Sequence, residues 1–192
     1  MAMRNRPVAV LDACVLVPMP LADTLLRLAE PPALYEPRWT AEILAEVTRT
    51  LVVRFGKTPE NARYRETAMR EFFPDALVKG YESLVESMTN DPKDRHVLAA
   101  AVACAADCLV TFNLKHFPPR SARSHEVSIV GPSTFLKRIL TMDPAIVEER
   151  LCGQAKAIGI SIDDLLNLLA RSVPGFASMF RNDLPHPIDS TS

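Results

Sequence analysis

The chain has 192 residues, 48% of them hydrophobic, which is enough for one ordinary domain with a real apolar core and at most a small appendage. Its 22 lysines and arginines nearly balance 23 aspartates and glutamates, so attraction to a polyanion has to come from a local patch and not from the whole molecule. No stretch approaches the roughly 20 uninterrupted apolar residues of a membrane span, and Asp12 interrupts the N-terminal apolar run that a signal peptide would need; a cytoplasmic protein is expected.

In chain order, PVAVL (7–11) reads as a short buried strand ending at Asp12. PLADTLLRLAE follows, with Leu21, Leu25, Leu28 and Ala29 at helical spacing. After the Pro31-Pro32 break, ALYEP is a weak strand candidate. The next helix carries Ile43, Leu44, Val47 and Leu51 on one face, with Thr40 as its N-cap. A further helix starts at Thr58-Pro59, the threonine capping and the proline at the first helical position. Residues 75–90 have no clear periodicity. Beyond Asp94 a helix is expected to bury Val97, Leu98, Ala101, Val102 and Ala105. CLVTF (108–112) and VSIVG (127–131) read as strands, and Pro132-Ser133 opens a helix through Phe135, Leu136 and Leu140.

Short strands alternating with helices define an α/β class with a mainly parallel central sheet. Met142-Asp143-Pro144 looks like a boundary, giving an α/β domain over 1–141, an all-helical extension over 142–183 and a frayed tail over 184–192. Within the extension, helices are expected from Pro144 to Ile158 and from Ser161 to Arg171, with Ser161 and Asp164 at capping-box spacing. Cys14, Cys104, Cys108 and Cys152 lie in apolar surroundings. Cys104 and Cys108 are four apart, but no second Cys or His pair completes a zinc set, so buried reduced thiols are expected.

Chemistry is carried by the acids. In an open parallel sheet reactive groups collect beyond the carboxyl ends of the strands, where Asp12 should point. A carboxylate buried there costs several kcal/mol unless it is paired or metal-bound. Glu42 and Glu46 share a helix face one turn apart; a solvated surface pair explains either one alone. Asp91, Pro92 and Asp94 fit the N-cap, first and third positions of a helix, so capping accounts for both aspartates without chemistry. It leaves unexplained why an acid also ends the first strand. Asn113 follows CLVTF into the same crevice, where its amide can face a metal or a phosphate or sit in a turn; Thr111 precedes it, and Lys115 and His116 follow. No GxGxxG, GxxxxGK[ST] or GxSxG is present, and Cys14 occupies the place where an aspartyl-phosphate phosphatase needs a second acid. Hard oxygen ligands without a thiolate or imidazole set suit Mg²⁺ or Mn²⁺.

VLDACVL (10–16), WTAEILAE (39–46), DPKDRHVLAAA (91–101) and LVTFNLKHFP (109–118) occur in this order, and as an ordered set they resemble a PIN-domain ribonuclease. The resemblance is closest to VapC-type toxins of toxin–antitoxin pairs, in the branch with an extra helical C-terminal segment, and it implies a PIN-like three-layer fold. By motif position Asp12, Glu46 and Asp94 match the family's catalytic, metal-holding acids, and Asp91 the preceding secondary acid. Asn113, Glu42 and Thr111 are secondary candidates. Two departures stand out: Cys14 where many members have Asn, and Asn113 in T-F-N where a fourth acid is usual.

The implied activity is Mg²⁺- or Mn²⁺-dependent hydrolysis of RNA phosphodiesters, with a cognate antitoxin and a homodimer as implied partners. Arg38, Arg49, Arg54 and Lys57 are candidates for tracking phosphates, although solvated arginines explain most such clusters equally well. Competing readings are a PIN-like module that binds RNA or protein without cutting, which the loss of the fourth acid would allow, and a metal-dependent DNase.

Overall fold

The computed structural model describes residues 6–123 and 125–183. Four short strands form one parallel sheet: β1 (Val8–Leu11), β2 (Glu36–Arg38), β3 (Cys108–Val110) and β4 (Ser128–Val130), in the order β2-β1-β3-β4. The register sets Ala9 beside both Pro37 and Cys108, and Cys108 beside Ser128. The central strands are apolar throughout, as a sheet covered on both faces requires: Ala9, Val10, Leu11, Leu109 and Val110 are wholly buried. From β1 the chain crosses first to β2 on one side, then returns past β1 to β3 on the other. Right-handed crossovers in opposite directions put helices on both faces and open a crevice between the carboxyl ends of β1 and β3.

The helices between the strands follow the apolar spacings. They are α1 (Ala13–Leu16), α2 (Leu21–Ala29), α3 (Ala41–Phe55), α4 (Pro59–Phe72), α5 (Arg95–Ala103), α6 (Pro119–Arg123) and α7 (Pro132–Met142). Thr40 and Thr58 cap α3 and α4, accepting from the N–H groups of Ile43 and Asn61 at 3.0 and 3.2 Å. Gly56 ends α3 at φ 62°, a left-handed position where a side chain would be strained. From α4, the half-buried Arg65 donates to the carbonyls of Leu16 and Val17 at the end of α1, placing a cation where the helix dipole is negative and pinning the segment after Asp12.

Several expectations need correction. Asp12 lies just past β1, which ends at Leu11, and opens α1, a four-residue helix with too little sequence to show a period. The helix beyond Asp94 ends at Ala103; Ala105 is exposed at φ 48° and Ala106 takes the buried place, because the chain must turn sharply to enter β3. Residues 75–90 form two 3₁₀ segments, Pro74–Ala76 and Glu82–Ser87, with Leu77 bridged to Trp39. The thiols are free, but of the four cysteines only Cys108 is buried; Cys14 and Cys104 are half-buried and Cys152 is exposed.

Beyond α7 come α8 (Pro144–Ala157), α9 (Ile162–Leu169) and α10 (Pro174–Asp183). Ser161 accepts from the Asp164 N–H and also donates to its carboxylate, a side-chain variant of the expected box. These helices share the core of the sheet domain. Val147, Leu151, Leu165, Leu169, Phe176 and Phe180 are buried. At the α8–α2 contact Gln154, also wholly buried, accepts from Thr24 Oγ1 at 2.7 Å and donates to the Pro20 carbonyl at 3.0 Å. The expected tail over 184–192 lies outside the described residues.

The cysteines give a test of this packing. Burial pushes the Cys14 and Cys108 thiols up to about 12, the Asp12 charge adding to the first and Asp107 to the second, and burial also raises Cys104. Thiolate is the reactive form, so the upward shifts disfavour reaction at all three; Cys108 is also buried, while Cys14 and Cys104 are half-buried. Native protein treated with a thiol reagent at pH 8 should label fastest at Cys152, more slowly at the half-buried Cys14 and Cys104, and at Cys108 only on unfolding; peptide mass mapping checks this, and fast labelling of Cys108 would contradict the packing.

Candidate active site

The crevice at the carboxyl ends of β1 and β3 is a cleft of about 660 Å³ lined by Asp12, Cys14, Glu46, Asp94 and Asn113, among others. Asp12 is only 4% exposed. Its backbone N–H donates to the Val110 carbonyl at 3.1 Å, which ties the end of β1 to the end of β3. Its Oδ2 accepts from Thr111 Oγ1 at 2.6 Å and from the Cys14 thiol at 3.1 Å. The Thr111 hydroxyl in turn accepts from the Asn113 N–H at 2.9 Å, and Cys14 Sγ accepts from the Phe112 N–H at 3.2 Å. Cys14 therefore does what a side-chain amide could do at that place: it donates to Asp12 and holds the β3 loop. These bonds partly compensate the burial of a carboxylate that has no cationic partner among the described residues.

Asp91 and Asp94 part ways: one caps, and the other lines the cleft. A 3₁₀ turn, Pro92–Asp94, precedes α5, so the helix begins in two steps. Asp91 caps that turn, its Oδ1 accepting from the Lys93 N–H at 3.1 Å, and it is not among the residues lining the cleft. Asp94 stands at the N-cap position of α5, not the third, and its side chain makes no capping bond. It turns into the cleft instead, where Oδ2 lies 2.6 Å from His116 Nδ1. Burial raises the Asp94 carboxyl above the ordinary carboxylate range; the His116 bond opposes the shift, and the charges of Asp12 and Asp91 reinforce it.

Glu46 reaches the cleft from α3, half-buried, with Oε1 3.6 Å from Nε2 of the buried His96. That gap exceeds a hydrogen bond, and the His96 Nε2 has no other partner. Burial by itself would lower the imidazole, yet Glu46, backed by Glu42 and Asp12, raises it.

The remaining candidates separate cleanly. Thr111 is buried and bonded to Asp12, and Asn113, Arg49 and Arg54 line the cleft. Glu42 accepts from the Tyr81 hydroxyl at 3.2 Å, outside the cleft lining, as is the exposed Lys57. Arg38 is paired with Glu36 at 2.7 Å and lines a different depression. Sequence reasoning missed His96, Phe55, Phe112, Arg171 and Ser172. His96 carries a local signal, standing two residues after Asp94 within a buried run. Arg171 and Ser172 carry none, because only the packing of the C-terminal helices brings them to the cleft.

As a metal site the donor set fits and the spacing is open. Carboxylate and amide oxygens suit Mg²⁺ or Mn²⁺, and the upward shift at Asp94, driven in part by Asp12, marks crowded negative charge that a cation would relieve. Among the described residues no three His, Cys, Asp or Glu side chains are grouped closely enough to enclose one ion. A cation here would keep part of its water, as Mg²⁺ usually does.

A buried aspartate at the switch point of a 2-1-3-4 parallel sheet, joined by acids from two helices, agrees with a family-level comparison: the sequence profile of the PIN domain matches residues 8–115, more than half of the chain. The chain belongs to the PIN domain family. Among curated proteins it is similar to the putative ribonuclease VapC50 of Mycobacterium tuberculosis (strain ATCC 25618 / H37Rv), with 35% identity over 113 residues, covering 57% of this chain and 67% of that protein. No solved structure matches significantly.

Proposed function

We propose that the protein is a metal-dependent endoribonuclease acting as the toxin of a toxin–antitoxin pair. The observation that carries this reading is the convergence of Asp12, Glu46 and Asp94 on one cleft at the switch point of a PIN-family sheet. The similarity to a putative VapC ribonuclease supports RNA as the substrate and a cognate antitoxin as partner. A cytoplasmic location and a homodimer belong to the same reading; among the described residues no helix is long and apolar enough to cross a membrane.

Asp12, Glu46 and Asp94 would hold Mg²⁺ or Mn²⁺, with Asn113 beside them and Asp91 contributing charge from behind. The ion supplies Lewis acidity against the charge that builds on the phosphate during hydrolysis. The protein's own part is positional. Thr111 and Cys14 fix the Asp12 carboxylate by two hydrogen bonds, and His116 fixes that of Asp94. Arg49 and Arg54 flank the acids and offset their repulsion of a polyanion. The test is a cleavage assay with wild-type protein on RNA and on single-stranded and branched DNA, with Mg²⁺ or EDTA. Cleavage of RNA only, abolished by EDTA and restored by Mg²⁺ or Mn²⁺, is expected; induced expression should arrest growth, and Asp94→Asn should relieve the arrest. RNA binding without products in Mg²⁺ would overturn the nuclease reading, and preferential cutting of DNA would overturn the substrate.

A further inference from the structure

Three acids line the cleft, and two of them are held by neighbours. Asp12 accepts from Thr111 and Cys14, and Asp94 Oδ2 lies 2.6 Å from His116 Nδ1. Glu46 is the exception. Its side chain is 33% exposed, and its nearest polar neighbour is His96, at a distance too long for a hydrogen bond. Glutamate has one more rotatable bond than aspartate, so an unheld Glu46 has several orientations open to it. A carboxylate that ligates a metal is ordinarily fixed by a hydrogen bond of its own, and losing that partner weakens the site.

A donor for Glu46 is already in place. His96 is the second residue of α5, its side chain is only 7% exposed, and its Nε2 is buried without a partner. Leaving such a group unpaired costs about 1–3 kcal/mol, so its position asks for a reason. The ring is held where it is: Val97 and Leu98 beside it are wholly buried, and α5 packs against β1. Glu46 Oε1 stands 3.6 Å from that nitrogen, a gap that a change in the glutamate torsions closes. Glu42, one turn earlier on α3, accepts from the Tyr81 hydroxyl and is engaged elsewhere. With the proton on Nδ1 alone, the Nε2 lone pair would face a carboxylate, so the proton belongs on Nε2. His96 is not among the residues lining the cleft, so its reach extends to Glu46 and not to a substrate.

We propose that His96 is a positioning residue for the metal site: its Nε2–H donates to Glu46 Oε1 when a divalent cation is bound, fixing the third acid as Thr111, Cys14 and His116 fix the other two. This rests on the metal-dependent reading of the cleft and adds the residue that completes it.

The test is Mn²⁺ binding by the full chain without RNA, measured by titration calorimetry. His96→Leu should weaken it about 10- to 100-fold without lowering the thermal midpoint, because the group removed is an unpaired polar one. His96→Gln, which keeps an N–H donor near the Nε2 place, should recover most of the affinity. In a Glu46→Gln background, His96→Leu should have no further effect, since the histidine acts through that carboxylate. A second measurement needs no substitution at His96: the ¹⁵N resonance of its Nε2 should be that of a protonated nitrogen and should shift on adding Mg²⁺ to wild type, but not to Glu46→Gln. Mn²⁺ affinity unchanged in His96→Leu, an equal loss in the Glu46→Gln background, no Mn²⁺ binding by wild type, or an unprotonated Nε2 in the Mg²⁺-loaded protein would each overturn the proposal. Failure of the ribonuclease reading is seen separately, as wild-type protein that binds Mn²⁺ and leaves RNA uncut.

Discussion

Replacing Asp12 with Asn is expected to lower RNA cleavage by at least about 10³-fold, which corresponds to roughly 4 kcal/mol of lost transition-state stabilisation, without lowering stability. The two halves of that expectation come from different properties of the same carboxylate. Asp12 is the most buried of the cleft acids and stands just past the end of the central strand, so its charge is spent where it is costliest to maintain. Asn keeps the size and, with its carbonyl oxygen in the Oδ2 place, keeps both acceptor bonds from Thr111 and Cys14. What it loses is the negative charge, and with it the oxygen that in the proposed site would hold a metal. Urea unfolding should therefore give a midpoint equal to or above wild type at unchanged m, because a buried charge has been removed. A marked loss of stability alongside lost activity would mean that Asp12 is a structural acid, as its capping position alone would allow.

The second large effect concerns the extension. Phe176→Ala is expected to cost about 3–5 kcal/mol, a large part of the roughly 5–15 kcal/mol that holds a domain together. Phe176 is wholly buried between α10 and α7, and Phe180 packs beside it with ring centroids 6.2 Å apart. With Gln154 bonding into α2 from the other side, residues 142–183 behave in this view as part of one cooperative unit with residues 6–141. Unfolding of the Phe176→Ala protein should stay a single transition at a lower midpoint, by fluorescence and by circular dichroism alike. A separate early transition for the helical part, with the sheet domain unperturbed, would show the extension to be an independent appendage.

Where local pattern and final packing agreed, the sequence was informative. The strands around Ala9, Leu109 and Ile129 could be read from β-branched and aliphatic runs, and the caps at Thr40, Thr58 and Ser161 from residue chemistry, because each depends on neighbours within a few positions. Asp91 and Asp94 mark the limit. Both satisfied the same capping rule, and only the two-step start of α5 shows that Asp91 caps while Asp94 faces the cleft. The Arg38 guanidinium lies near Arg49 in sequence but is drawn to Glu36 on β2, so closeness along the chain misled. Arg171 is the opposite case. It stands 125 positions beyond Glu46 and reaches the same cleft through contacts of α9 and α10 that no local period encodes.

The chemistry of the cut ends bears most directly on the role of the acidic cleft. Hydrolysis by water at a metal-holding carboxylate site leaves no 2′,3′-cyclic phosphate, whereas histidine-assisted attack by the ribose 2′-hydroxyl does, and His96 and His116 are both near enough to the acids to make the distinction necessary. Wild-type protein should cut single-stranded RNA in Mg²⁺ to products without cyclic phosphate and should be silent in EDTA. Products carrying 2′,3′-cyclic phosphate and formed equally well in EDTA would contradict the metal-dependent role proposed for Asp12, Glu46 and Asp94.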